Sequence, residues 1–208
     1  MTPIGSDRFG VSRRGAIRSL AAVLVASSVL ASRGAPGAPF AIDGRFSLTG
    51  TDGRTITDRD FRGKWQIVYF GYTFCPDVCP ATLAEVTNAL AELGPRARDV
   101  QPIFITLDPA RDSAKVLDAY LKAFDSRFVG LRGDPETTEA LARQFHVYFR
   151  LRGLGNGEYT VDHSSFLYIF DPKGAFVEVL TGDLPGHALR WATRPARCAW
   201  PRLSSSRL

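Results

Sequence analysis

Trp65-Gln66-Ile67-Val68-Tyr69-Phe70-Gly71-Tyr72-Thr73-Phe74-Cys75-Pro76-Asp77-Val78-Cys79-Pro80 runs from an apolar, β-branched and aromatic stretch straight into two cysteines and a helix-opening proline. Its first half, Trp65 to Tyr72, reads as a buried strand. Beyond Pro80, the stretch Ala81 to Leu93 places Leu83, Val86, Leu90 and Leu93 at three- and four-residue intervals, the spacing of an amphipathic helix that Gly94-Pro95 brings to an end. A strand, a cysteine-bearing joint and a helix make one unit of an α/β fold.

The unit recurs toward the C-terminus. Pro102 to Leu107 reads as a second strand, and Asp112 or Ser113 caps a helix through Phe124 with Val116, Leu117, Tyr120 and Phe124 on one face. Phe128 to Leu131 is a short strand, and Asp134-Pro135 opens a helix through Phe145. Ser165 to Phe170 and Ala175 to Leu180 are strands flanking the turn Asp171-Pro172-Lys173-Gly174. Ahead of the first unit, Phe46 to Thr49 and Asp52 to Thr55 form a small hairpin with Asp52-Gly53 at its turn. Alternating strands and helices imply a largely parallel sheet, and the closing hairpin makes it mixed. The expectation is an α/β fold, a thioredoxin-like mixed sheet flanked by helices with an N-terminal β-hairpin.

The chain has 208 residues, 45% of them hydrophobic and 23% charged, which fits one globular domain and excludes disorder as the main state. Its pI of about 9.4 invites a nucleic-acid reading, but the positive charge sits at the ends. Residues 1–40 carry five arginines and one acid, and residues 184–208 carry five arginines and none. Residues 41–183 are left with 16 basic and 20 acidic groups, a net of −4, so the core lacks the basic footprint of a nucleic-acid binder.

Residues 1–38 combine Arg13-Arg14, Arg18 and an apolar run from Leu20 to Ala31, a pattern that reads as an export signal or an N-terminal membrane anchor. Either places the folded part, residues 42–183, in the periplasm or another extracytoplasmic space where cysteines can be oxidised. Residues 184–208 read as an irregular basic tail.

Cys75 and Cys79 are four apart, and on a helical first turn both sulfurs converge on one point. Unpaired N–H groups at a helix start lower thiol pKa values, and the resulting thiolates favour Cu(I) or Zn over hard cations. Two thiolates leave a further ligand to be found among His146, His163 and His187. His146 lies at a helix-to-strand junction and reads as structural, and His187 falls in the tail. His163 lies just before the last hairpin, where a loop can lean over the cysteine-bearing helix. Asp162 beside it either orients the ring or is an exposed loop carboxylate. A structural disulfide between Cys75 and Cys79 would gain little from so short a loop. Cys198 reads as a bystander or an interchain thiol.

Gly71 to Pro80, Thr106-Leu107-Asp108-Pro109-Ala110-Arg111-Asp112 and Asp162-His163-Ser164 resemble the Sco/SenC family of copper proteins over roughly residues 45–180. The resemblance implies a thioredoxin-like, commonly membrane-tethered domain that binds copper, as Cu(I) or Cu(II), through Cys75, Cys79 and His163. It implies a chaperone that supplies the binuclear copper centre of cytochrome c oxidase subunit II during assembly. The alternative is a thiol-disulfide oxidoreductase that keeps the recipient's cysteines reduced. The Thr106 to Asp112 block would shape the surroundings of the site.

Overall fold

A computed structural model describes residues 42–181. The 1–38 leader and the whole 184–208 tail, with His187 and Cys198, lie outside the described residues. In chain order the strands are β1 (Ser47–Gly50), β2 (Thr55–Thr57), β3 (Trp65–Gly71), β4 (Val100–Thr106), β5 (Val129–Arg132), β6 (Phe149–Gly155), β7 (Glu158–His163), β8 (Phe166–Phe170) and β9 (Phe176–Thr181). The helices are α1 (Val78–Leu93), α2 (Ala114–Lys122) and α3 (Pro135–Gln144). Seven strands form one sheet in the order β2-β1-β5-β4-β3-β8-β9, and β6 and β7 pair only with each other.

The centre of the main sheet is parallel, with β4 between β3 and β5, and both edges are antiparallel. This is the expected mixed sheet flanked by helices. The apolar periodicity explains each crossover. In α1 the stripe Leu83, Val86, Leu90 and Leu93 is buried, each such side chain stabilising the fold by about 1.5–3 kcal/mol. Ser113 caps α2 by accepting the Val116 N–H, and Asp134 caps α3 by accepting the Thr137 N–H. On α2 the buried stripe is Leu117 and Leu121, whereas Val116 is exposed.

Successive strand residues point to opposite faces, and β3 uses both. Tyr69 packs on Phe104, which packs in turn on Tyr120 of α2, and the Tyr69 hydroxyl reaches Cys79 at the start of α1. Phe70, one residue on, meets Phe145 at the end of α3 with ring centroids 5.0 Å apart. Helices α1 and α2 therefore cover one face and the end of α3 covers the other. That puts the joint between β3 and α1 at the carboxyl edge of the parallel strands, where His163 at the end of the arm β6–β7 meets Cys79.

Three expectations change. Helix α1 starts at Val78, so Cys79 lies in its first turn but Cys75 lies in the preceding loop, and the sulfurs converge by loop geometry rather than by stacking along one helix. The arm β6–β7 leaves no periodic signal in the sequence, because β6 is exposed along nearly its whole length and shows no in-and-out alternation. Its local signal is the turn at Asn156-Gly157, where both residues have positive φ, 54° and 81°, as a type I′ hairpin turn requires. Consequently His163 ends a strand and is not a loop residue.

Candidate metal centre

Strand β3 delivers the chain to the site through Gly71 and Tyr72, and Asp112 holds the loop that follows. The Asp112 carboxylate is fully buried and accepts from the Thr73 N–H, the Thr73 hydroxyl and the Thr106 hydroxyl, tying the loop before Cys75 to the end of β4. Burial pushes the Asp112 carboxyl up, against these three hydrogen bonds. Gly71 is required here by close approach: a Cβ at this position would lie 2.8 Å from Cys79 Sγ and 3.1 Å from the Phe104 ring.

The donor atoms of Cys75, Cys79 and His163 all lie within 4.8 Å of one another. Cys79 is wholly buried, and Cys75 is 9% exposed at the rim. The sequence thus names the three side chains that the fold gathers, and a set of two sulfurs and one imidazole is able to hold a single soft metal ion. His163 Nδ1–H donates to the Ser164 carbonyl at 3.0 Å. A carbonyl can only accept, so this bond leaves the lone pair on Nε2, which lies 3.4 Å from Cys79 Sγ. The ring is held edge-on by Tyr72 and Tyr69, at 5.8 and 6.4 Å between centroids.

The two thiols differ sharply. Cys75 is drawn down to about 4 by the hydrogen bond from the Cys79 thiol and by the N–H groups of Asp77 and Cys79, with burial opposing. Cys79 is pushed up, because its proton is shared with the Cys75 sulfur and burial disfavours a second negative charge. Sharing of one proton thus favours the thiolate on Cys75 and the thiol on Cys79, where the helix N-terminus alone favours thiolate at both.

His146 is exposed and has φ of 56°. Its N–H bonds the Arg143 carbonyl while the Val147 N–H bonds the Ala142 carbonyl, a Schellman ending of α3. Its role is structural, through the backbone. Asp162 pairs with Arg152 across the arm, and the group that orients His163 is the Ser164 carbonyl. Sequence reasoning missed Tyr69, whose hydroxyl lies 3.6 Å from Cys79 Sγ and 3.2 Å from Ser165 Oγ. A strand buried on both faces gives no sign of which member meets a cysteine.

The family model described as SCO1/SenC matches residues 34–192. The chain belongs to the SCO1/SenC family. Among curated members, SenC of Rhodobacter capsulatus is 38% identical over 151 residues, covering 73% of this chain and 68% of that one. The mitochondrial SCO1 homolog 1 of Arabidopsis thaliana is 37% identical over 153 residues, 73% of this chain and 46% of that one. The chain spans about half the length of several curated relatives, 46%, 57% and 48% for those of Arabidopsis, fission yeast and budding yeast. Among solved structures, copper-bound ScoI of Bradyrhizobium japonicum superposes with a TM-score of 0.69 at 37% identity, covering 74% of this chain and 99% of that one. Copper-bound yeast Sco1 gives 0.64 at 36% identity over 70% and 82%. The match establishes the thioredoxin-like Sco fold for this member. Among the described residues, no helix is long and apolar enough to cross a membrane.

Proposed function

We propose that this family member binds one copper ion through Cys75, Cys79 and His163 and hands it to a copper-accepting protein, the binuclear centre of cytochrome c oxidase subunit II. The observation that carries this reading is the convergence of two sulfurs and an imidazole whose Nε2 is left free by the Ser164 carbonyl. Solved relatives from Arabidopsis, Bradyrhizobium and yeast hold copper, and thiolate with imidazole suits Cu(I) and tolerates Cu(II). Cys75 at the rim offers an incoming ligand a side from which to attack, while buried Cys79 holds the ion until the exchange completes. Exposed Phe74 and Val78 flank that opening. Residues 1–38 export the domain or anchor it to the outer face of a membrane, residues 42–183 are the working domain, and residues 184–208 are a separate basic tail.

A second reading draws on the inequality of the thiols. A Cys75 shifted toward thiolate and slightly more accessible than Cys79, whose burial favours the thiol, is also the arrangement of an attacking and a resolving thiol. In that role the pair would become a disulfide as a partner's disulfide is reduced to two thiols.

Anaerobic copper titration of the reduced full-length chain and its His163→Ala variant separates the two. One copper per chain, lost or greatly weakened in the variant, is expected of the chaperone. Failure of both proteins to retain copper, with Cys75 and Cys79 still cycling between dithiol and disulfide, assigns the oxidoreductase role instead.

A further inference from the structure

The arm β6–β7 shares no strand ladder with the main sheet, yet its last residue must present Nε2 to a sulfur fixed at the start of α1. Sheet pairing reaches His163 only from beyond Ser164 and Ser165, where β8 pairs with β3, and leaves the rest of the arm to be held by side chains. The contacts that bridge the arm and the cysteine loop converge on Arg111. Its Nη1 donates to the Tyr159 carbonyl at 2.8 Å, and its guanidinium carbon lies 3.7 Å from the centroid of the Tyr159 ring. The Tyr159 hydroxyl donates to Asp108 Oδ1 at 2.8 Å, and Asp108 Oδ2 accepts from Arg111 Nε. The same guanidinium lies 4.9 Å from the Phe74 centroid and 5.8 Å from that of Tyr72, so one planar group touches both the arm and the loop that ends in Cys75.

Each anchor of this cluster is itself held. Asp108 is 3% exposed, and its N–H donates to the Thr106 hydroxyl. The Asp112 N–H closes the turn on the Asp108 carbonyl at 2.9 Å. Tyr72 adds one further tie, a 2.8 Å hydrogen bond between its hydroxyl and Thr160 of the arm. We propose that Arg111 is a positioning residue: it clamps the arm β6–β7 to the cysteine loop through Tyr159, Asp108 and Phe74, and thereby sets the distance from His163 Nε2 to the two sulfurs. This rests on the copper reading above for its consequence, though not for its geometry. The clamp requires the planar fork of arginine, because a lysine ammonium cannot stack on Tyr159 while bonding both the Asp108 carboxylate and the Tyr159 carbonyl.

The test uses the reduced, full-length chain and Arg111→Lys. In the metal-free protein, amide hydrogen exchange over residues 149–163 is expected to speed up about tenfold or more in the variant, with strands β3 and β4 unchanged. Copper affinity is expected to fall about 10–100-fold, the range seen when a group supporting a metal ligand is removed. In a His163→Ala background, Arg111→Lys is expected to produce no further loss, because the ligand it positions is gone. Unchanged exchange in the arm overturns the clamp, and so does an equal copper loss in both backgrounds. If β3 and β4 also exchange faster, Tyr159→Phe replaces it. That variant keeps the ring stack, drops the Asp108 bond, and must still loosen the arm selectively. Should the wild-type chain take up no copper, the proposed function fails while the exchange measurement still decides the clamp.

Discussion

Gly71→Ala tests whether the closeness of β3 to the start of α1 is what places Cys79. The added methyl would sit 2.8 Å from Cys79 Sγ and 3.1 Å from two atoms of the Phe104 ring. Ordinary contact begins near 3.5 Å, so the sulfur has to retreat by about 0.7 Å or the strand has to give way. Neither neighbour is the free end of a long side chain. Cys79 is wholly buried and Phe104 is locked between Tyr69 and Tyr120. Overpacking of this kind costs about 1–3 kcal/mol, and the reduced freedom of the unfolded chain returns about 0.4–1 kcal/mol. The expected net loss is about 1–2 kcal/mol in urea unfolding of the reduced, metal-free chain. Copper binding is expected to weaken more than stability does, since a shift of 0.7 Å is large against the tolerance of a coordination bond, about 0.2 Å. A variant with wild-type stability and wild-type copper affinity would refute the idea that Gly71 is there for the sulfur.

The inequality of the thiols gives a pH signature. With Cys75 at about 4, its alkylation rate in the metal-free protein should be nearly flat from pH 6 to 8, where an ordinary thiol gains roughly tenfold per pH unit; a tenfold rise would show that the low value is wrong. The sign for stability follows from the same depression: the Cys75 contribution is complete above the unfolded-state thiol pKa of about 8.5 and is lost as pH falls toward 4. Cys79, raised by its partner and by burial, acts oppositely and lowers stability above pH 8.5 or so. Asp112→Ala strands the Thr73 N–H and two hydroxyls at a buried position, and a loss of about 2–4 kcal/mol is expected in chemical denaturation; Asp112→Asn, which keeps an acceptor oxygen, should recover part of it. His146→Gly relieves a left-handed backbone at the end of α3 and should stabilise by about 0.5–1 kcal/mol while leaving copper stoichiometry at the wild-type value. A lost copper ion in that variant would make His146 a ligand after all.

Much of the site was legible in the chain before folding was considered. The stripe Leu83, Val86, Leu90 and Leu93 announced α1, and the apolar run from Trp65 announced β3, because burial imposes a period that neighbouring residues share. The cysteine pair spoke for itself through its chemistry and its seat at a strand-to-helix joint. Strand β6 gave no such sign: its side chains are exposed on both faces, so no alternation exists to be read.

By itself, then, the sequence determined the α/β layering, the joint that carries Cys75 and Cys79, and the short choice of histidines from which His163 came. Tertiary structure alone decided that Cys75 lies outside the helix, that the two thiols are shifted in opposite directions, and that Ser164 frees Nε2. It also decided that Arg111 and Asp108 meet Tyr159, 48 and 51 residues away. The physical reason is one of range. Periodicity and capping act within a few residues and leave a local pattern, whereas a tautomer, a thiolate or a clamp is set by groups that only the folded chain brings within a few ångströms.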